Sequence, residues 1–156
     1  MKFVERVDPV LDYSVRGLCT RRYPNHPRGC PNFGKRPTCP PQAPLLENVF
    51  DLSQPVYAVW NVFDLASHVD RMREKHPDWT WRQLVNCLYW QGGARKVLRR
   101  RVEDFMGGLR AGHCPLYCPE ACGVNVTETM KSIGEILEWP PKTKTYQVAL
   151  VGRIKR

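Results

Sequence analysis

Val56-Tyr57-Ala58-Val59-Trp60-Asn61-Val62-Phe63 is nearly continuous in apolar, β-branched and aromatic residues. A strand exposed on one face alternates polar with apolar residues, whereas a strand covered on both faces reads as such a run. The segment therefore predicts a strand inside a sheet with protein on either side. Thr145-Tyr146-Gln147-Val148-Ala149-Leu150-Val151 has the same character, and Phe3, Val4 and Val7 read as a short first strand.

Helical patterns fill much of the interval between the two strong strands. Asp64 is placed to cap a helix over roughly Leu65 to Lys75, with His68 and His76 as surface or capping histidines. Thr80-Trp81-Arg82-Gln83 has the form of a capping box, and Trp81, Leu84, Val85 and Leu88 then repeat at helical spacing. Gly92-Gly93 is expected to interrupt or bend this helix. Beyond it Leu98, Val102, Phe105 and Leu109 form a second apolar stripe, flanked by Arg95, Lys96, Arg99, Arg100 and Arg101. Asn125 or Thr127 could cap a short helix ending near Gly134. The expected fold class is α/β, a small sheet of two to four strands covered by helices.

The 156 residues fit a single domain, 1–156. Their 24 Lys and Arg against 15 Asp and Glu give a formal charge of +9, which favours anionic partners. Met1-Lys2-Phe3-Val4-Glu5-Arg6 lacks the apolar run of a signal peptide, and no stretch approaches the length of a membrane span. A cytoplasmic protein with no membrane partner is expected. In a reducing compartment its seven cysteines read as metal ligands or catalytic thiols rather than disulfides.

Six of those cysteines fall in two loop regions. Cys19, Cys30 and Cys39 lie between Gly17 and Pro44, a segment too rich in Pro and Gly for a helix or an interior strand. Cys114, Cys118 and Cys122 lie between Gly112 and Val126, and the two regions are expected to meet at one end of the sheet. Cys87, on the flank of an apolar stripe, reads instead as a small buried core residue. Pro follows Cys30, Cys39, Cys114 and Cys118, an arrangement familiar beside iron–sulfur ligands, and four thiolates hold one cluster. Zinc sites favour cysteines two to four residues apart, a spacing met by Cys114/Cys118 and Cys118/Cys122 but not by Cys30/Cys39. An iron–sulfur cluster, [4Fe-4S] in type, is the expected cofactor, with zinc as the alternative. The plainer reading is a metal that only staples the loops together.

The run Gly29-Cys30-Pro31-Asn32-Phe33-Gly34-Lys35-Arg36-Pro37-Thr38-Cys39-Pro40-Pro41 resembles the hallmark of a family of cysteine-rich proteins known only as predicted metal-binding proteins of unknown function. Leu98 to Gly112 and Glu120-Ala121-Cys122-Gly123-Val124-Asn125-Val126 are also similar to segments of that family, so the likeness spans roughly residues 15 to 135. Family members place several cysteines in a longer cluster before the Glu-Ala segment, whereas Cys114 to Cys122 is compressed here. The resemblance implies a bound metal, an iron–sulfur cluster, and implies no reaction.

Arg21, Arg22, Lys35 and Arg36 accompany the first cysteine loop, and Arg95, Lys96, Arg99 and Arg100 form a second basic group. Such cations neutralise phosphates, while Tyr23, Phe33 or Trp90 could stack a base, so RNA or DNA is the expected partner. A redox partner or a larger protein assembly is the alternative. Gly-x-Ser-x-Gly, the P-loop and His-Glu-x-x-His are absent from the sequence. An enzymatic role would need another device, such as His26 or His113 activating a nearby thiolate.

Overall fold

The computed structural model describes residues 2–22 and 27–156. Four strands, β1 (Val4–Val7), β2 (Val56–Asp64), β3 (His113–Leu116) and β4 (Lys144–Arg153), form one antiparallel sheet in the order β1-β2-β4-β3. The two sequence-predicted buried strands are its centre, with Val59 opposite Ala149 and Trp60 opposite Val148. Alternation then sorts their side chains onto two faces. Ala58, Trp60 and Leu150 pack with Leu46, Phe50, Val124 and Met130 on one, and Val59, Ala149 and Val151 pack with Leu98 and Val102 on the other.

The second face is covered by α4 (Gln91–Gly107), whose Leu98, Val102 and Phe105 are the predicted stripe. Burying Leu98 and Val102 stabilises the fold by about 2 kcal/mol each. The first face is covered by α1 (Leu46–Val49), by a 3-10 turn over Pro119–Cys122 and by α5 (Val126–Lys131). α2 (Leu65–Lys75) starts where β2 ends: Asp64 accepts hydrogen bonds from the Ser67 N–H at 3.0 Å and Oγ at 2.7 Å. α5 is capped in the same way by Asn125, which accepts from the Glu128 N–H.

Several expectations are corrected. The capping box at Thr80 and Gln83 forms, but α3 is only Trp81–Leu84. Asn86 ends it by accepting from the Leu88 N–H and starting a 3-10 turn, Cys87–Tyr89. Cys87 is consequently exposed rather than in the core. Gly92 and Gly93 do not interrupt a helix but stand in the first turn of α4. The first cysteine region, read as free of helix, begins inside a 3-10 turn, Tyr13–Thr20.

His76 caps α2, as expected, but His68 is not on the surface. It is 6 % exposed and packs where Leu65, Val69 and Leu84 form a third cluster at the end of the sheet, with its Nε2 unpaired. Burial holds its pKa below the ordinary 6.5, the Arg71 charge adds to this, and the Leu84 carbonyl acts in the opposite sense. The unfolded chain then binds the His68 proton more readily than the native one. Stability should therefore be complete above pH 6.5 and fall as the pH drops below it, by at most about 1.4 kcal/mol per unit from this residue. Denaturant unfolding between pH 7.5 and 5 should show a smaller slope for His68→Gln than for the parent. Equal slopes would mean that His68 binds its proton equally in both states.

Candidate metal centre

The first cysteine loop is held by its own backbone. The Cys30 N–H donates to the Cys19 carbonyl at 2.7 Å, the Gly34 N–H to the Pro40 carbonyl at 2.7 Å, and the Ala43 N–H to the Cys39 carbonyl at 2.9 Å. Gln42 closes the loop again by donating to the Gly34 carbonyl. Gly29 is required at its crossing. Its φ is +81°, and a Cβ there would lie 2.5 Å from the Cys19 carbonyl oxygen. Cys19, Cys30 and Cys39 thereby become neighbours although nineteen intervening positions separate the first from the last.

The second region is brought to the first by the segment before the Tyr13–Thr20 turn. The Asp12 N–H donates to the Gly123 carbonyl and the Asn125 N–H to the Val10 carbonyl, each at 2.8 Å, around an isolated bridge between Leu11 and Val124. The Val10 N–H donates to the Thr129 hydroxyl. The Pro119–Cys122 turn consequently lies against the turn that carries Cys19.

The same arrangement decides which charges each thiol feels. Burial pushes the Cys19 pKa up, and charge on Cys30, Cys39 and Glu120 would push it further. Burial also raises Cys118, which feels Glu120, Cys39 and Cys19, while Arg95 acts to lower it. Cys122 is raised by burial, with Arg16 opposing and Cys118 and Glu120 adding. Five of the six expected ligands thus share one neighbourhood. Cys114 does not join them: it lies in β3, half-buried against the Trp60 face of the sheet, and burial alone raises its pKa. Glu120, which sequence reasoning did not single out, keeps an exposed side chain, yet the protein around it withdraws enough water to push its carboxyl up.

Arg16 is the other residue missed. Its Nη2 donates to the Pro41 and Ala43 carbonyls at 3.0 and 2.7 Å, while its Nε is buried without a partner. A guanidinium beside Cys122 with a donor unspent suits an anionic group, and a thiolate–metal assembly is one. The donor set fits as well, since soft sulfur ligands with cations nearby favour iron–sulfur clusters and zinc. As the thiols stand, no three His, Cys, Asp or Glu side chains among the described residues are gathered tightly enough to hold a single ion.

A thiol made into a nucleophile needs a lowered pKa. Cys19, Cys114, Cys118 and Cys122 are all shifted the other way. His113 donates its Nδ1–H to the Arg110 carbonyl, 2.8 Å away. His26 and Tyr23 lie outside the described residues.

The basic residues expected from the sequence are all exposed. Arg21, Arg22, Lys35 and Arg36 are exposed on or beside the first loop, and Arg95, Lys96, Arg99 and Arg100 are exposed on α4. Arg95 acts on Cys118, and Arg99 acts on Tyr117. The one ion pair among the described residues is Lys2–Glu5, so these cations have no carboxylate within 4.0 Å. Arg101 points elsewhere, donating to the Trp60 carbonyl at 3.0 Å and lying 3.6 Å over the Phe3 ring. Phe33 is exposed as a stacking residue would be. Trp90 is not free in that way: Phe63 covers one face at 4.9 Å, and its indole N–H donates to the Val85 carbonyl. No helix among the described residues is long and apolar enough to cross a membrane.

Compared with known proteins, the chain matches no family model, no curated protein and no solved structure.

Gly29→Ala should destabilise the first loop by about 1–3 kcal/mol, because it combines a left-handed backbone with a clash against main chain that has no freedom to rotate away. Limited proteolysis should then cut between Gly17 and Pro44 in the variant before it cuts the parent. Unchanged cleavage and unchanged denaturant unfolding would refute the crossing as described.

Proposed function

We propose that this protein binds an iron–sulfur cluster through Cys19, Cys30, Cys39 and Cys118, and that the basic surface around that site binds nucleic acid. The observation that carries the reading is the convergence of thiols from two distant loops into one electrostatic neighbourhood. The likeness of Gly29 to Pro41 to the cysteine-rich family of predicted metal-binding proteins points the same way. Cys122, which feels the charge of Cys118, is a fifth thiol available to adjust or replace a ligand, and Cys114 is half-buried against the sheet.

Bound there, a cluster supplies electron transfer or, with one iron left open, Lewis-acid activation of a substrate atom. The chain's own residues do the rest. Arg16 and Arg95 offset the ligand charge, and the proline-rich loop keeps the sulfurs from collapsing onto one another. Unpaired thiols suit a reducing compartment, so the reading carries a cytoplasmic location. Zinc is the second reading, favoured by Cys118 and Cys122, which flank one 3-10 turn at a spacing common in zinc sites.

Anaerobic purification with iron, sulfide and zinc analysis should find iron and sulfide in the parent. Cys19→Ala, Cys30→Ala, Cys39→Ala and Cys118→Ala should each lose most of the metal, while Cys87→Ala and Cys114→Ala keep it. Loss in Cys87→Ala with retention in Cys39→Ala would refute the assignment. Stoichiometric zinc in a colourless protein would select the second reading.

Single-stranded RNA should bind with a slope of about −2 to −4 in log affinity against log salt, as expected when three to five phosphates are neutralised. Lys96→Ala with Arg99→Ala should reduce that slope by about 1 to 2 and leave the metal in place. Absence of binding at low salt would remove nucleic acid from the proposal and leave an acidic redox partner for this surface.

A further inference from the structure

α4 carries its exposed charges in the order that helps a helix least. Arg95, Lys96, Arg99 and Arg100 come first, and Glu103 and Asp104 follow them, whereas the helix dipole favours the reverse. Arg99 with Glu103 and Arg100 with Asp104 have the spacing of ion pairs on a helix, yet neither pair closes to 4.0 Å. Helix stability does not account for these cations. They are left free for a ligand.

An exposed ring lies beside them at the end of β3. Leu116 stands opposite Leu150 and packs on the Trp60 face, so alternation directs the next side chain, Tyr117, to the face that α4 covers. The charges it feels agree with that placement. Burial raises the Tyr117 pKa, Glu103 adds to this and Arg99 opposes it, and those two residues share one row of α4. Arg95 stands one turn earlier on the same row and acts on Cys118, the residue after Tyr117. Arg101, in contrast, belongs to the other flank, over Phe3. Tyr117 is 39 % exposed, and among the described residues no ring or cation stacks on it, whereas Trp90 is covered by Phe63.

Cations take phosphates, and an uncovered ring takes the face of a base that has no pairing partner. A duplex keeps its base faces stacked on one another, so the ring would add nothing to duplex binding. We propose that the nucleic acid inferred above binds as a single strand with one unpaired base stacked on Tyr117 and its phosphates along Lys96, Arg99 and Arg100, an assignment that rests on the nucleic-acid reading. The carboxylates of Glu103 and Asp104 repel phosphate and mark where the cationic strip ends. Cys118 follows Tyr117 directly, so the stacked base sits at the margin of the thiol neighbourhood.

Fluorescence anisotropy of the full chain should compare a labelled oligouridylate with a ribose-phosphate strand of equal length that lacks bases. The parent should bind the oligouridylate at least about fivefold more tightly, the margin that one stacked base provides. That comparison needs no variant to fold. Tyr117→Ala should lose the margin and keep the salt slope, since no phosphate contact is removed. Tyr117→Phe should bind like the parent, because the ring and not the hydroxyl makes the contact. Lys96→Ala with Arg99→Ala should weaken both strands alike. Equal binding of the two strands by the parent, or a margin that survives in Tyr117→Ala, would overturn the stacking role while nucleic acid still binds. No binding of either strand at low salt would overturn it together with the nucleic-acid reading itself.

Discussion

Gly123 has no side chain, and the ring of Tyr13 occupies the space one would need: a Cβ there would lie 2.5 Å from the ring, at a φ of +87°. Most of the candidate site depends on that contact. It lets the main chain at 10–12 run alongside 123–125, exchanging the Asp12–Gly123 and Asn125–Val10 hydrogen bonds around the Leu11–Val124 bridge. The turn carrying Cys19 is thereby laid against the turn carrying Cys122, with Cys118 at its start. Without this docking the two cysteine regions would be two loops on one sheet.

The sheet supplies the other half of the placement. Because β2 and β4 are apolar on both faces, one face takes up Val124, Val126 and Met130, which fix the second cysteine region, while the other takes up α4. The buried stripe of α4 leaves its cations outside, where Arg95 reaches the electrostatic neighbourhood of Cys118. Arg16 approaches from the opposite loop and binds the main chain at Pro41 and Ala43. Positive charge is therefore held at the thiols from two directions by residues whose own positions are set by packing and backbone bonds.

How far the sequence could be read followed the physics of each element. β2, β4, α2 and the stripe of α4 announce themselves through periodicity, because each buries a continuous face against the core. β3 did not, since His113-Cys114-Pro115-Leu116 is short, carries a proline and pairs along one edge only, where proline is tolerated. Asn86 defeated the helical pattern from Trp81 to Leu88 by offering its side chain to the backbone, and that local bond moved Cys87 to the surface. The cysteine loops were legible as a group because composition marks them. The separation of Cys114 from the others was not, because it depends on the strand that composition hides. Arg16 and His68 carry no sequence signal at all: their interest lies in buried nitrogens left unpaired, which only the packing reveals.

The central claim is that thiolates from both loops hold one metal group. X-ray absorption at the iron edge, on protein purified without oxygen, tests this most directly. Sulfur as the nearest shell, with a short iron–iron distance that disappears together with the iron in Cys118→Ala and in Cys39→Ala, is the predicted result. A shell of oxygen and nitrogen alone, or a sulfur shell indifferent to both substitutions, would contradict it.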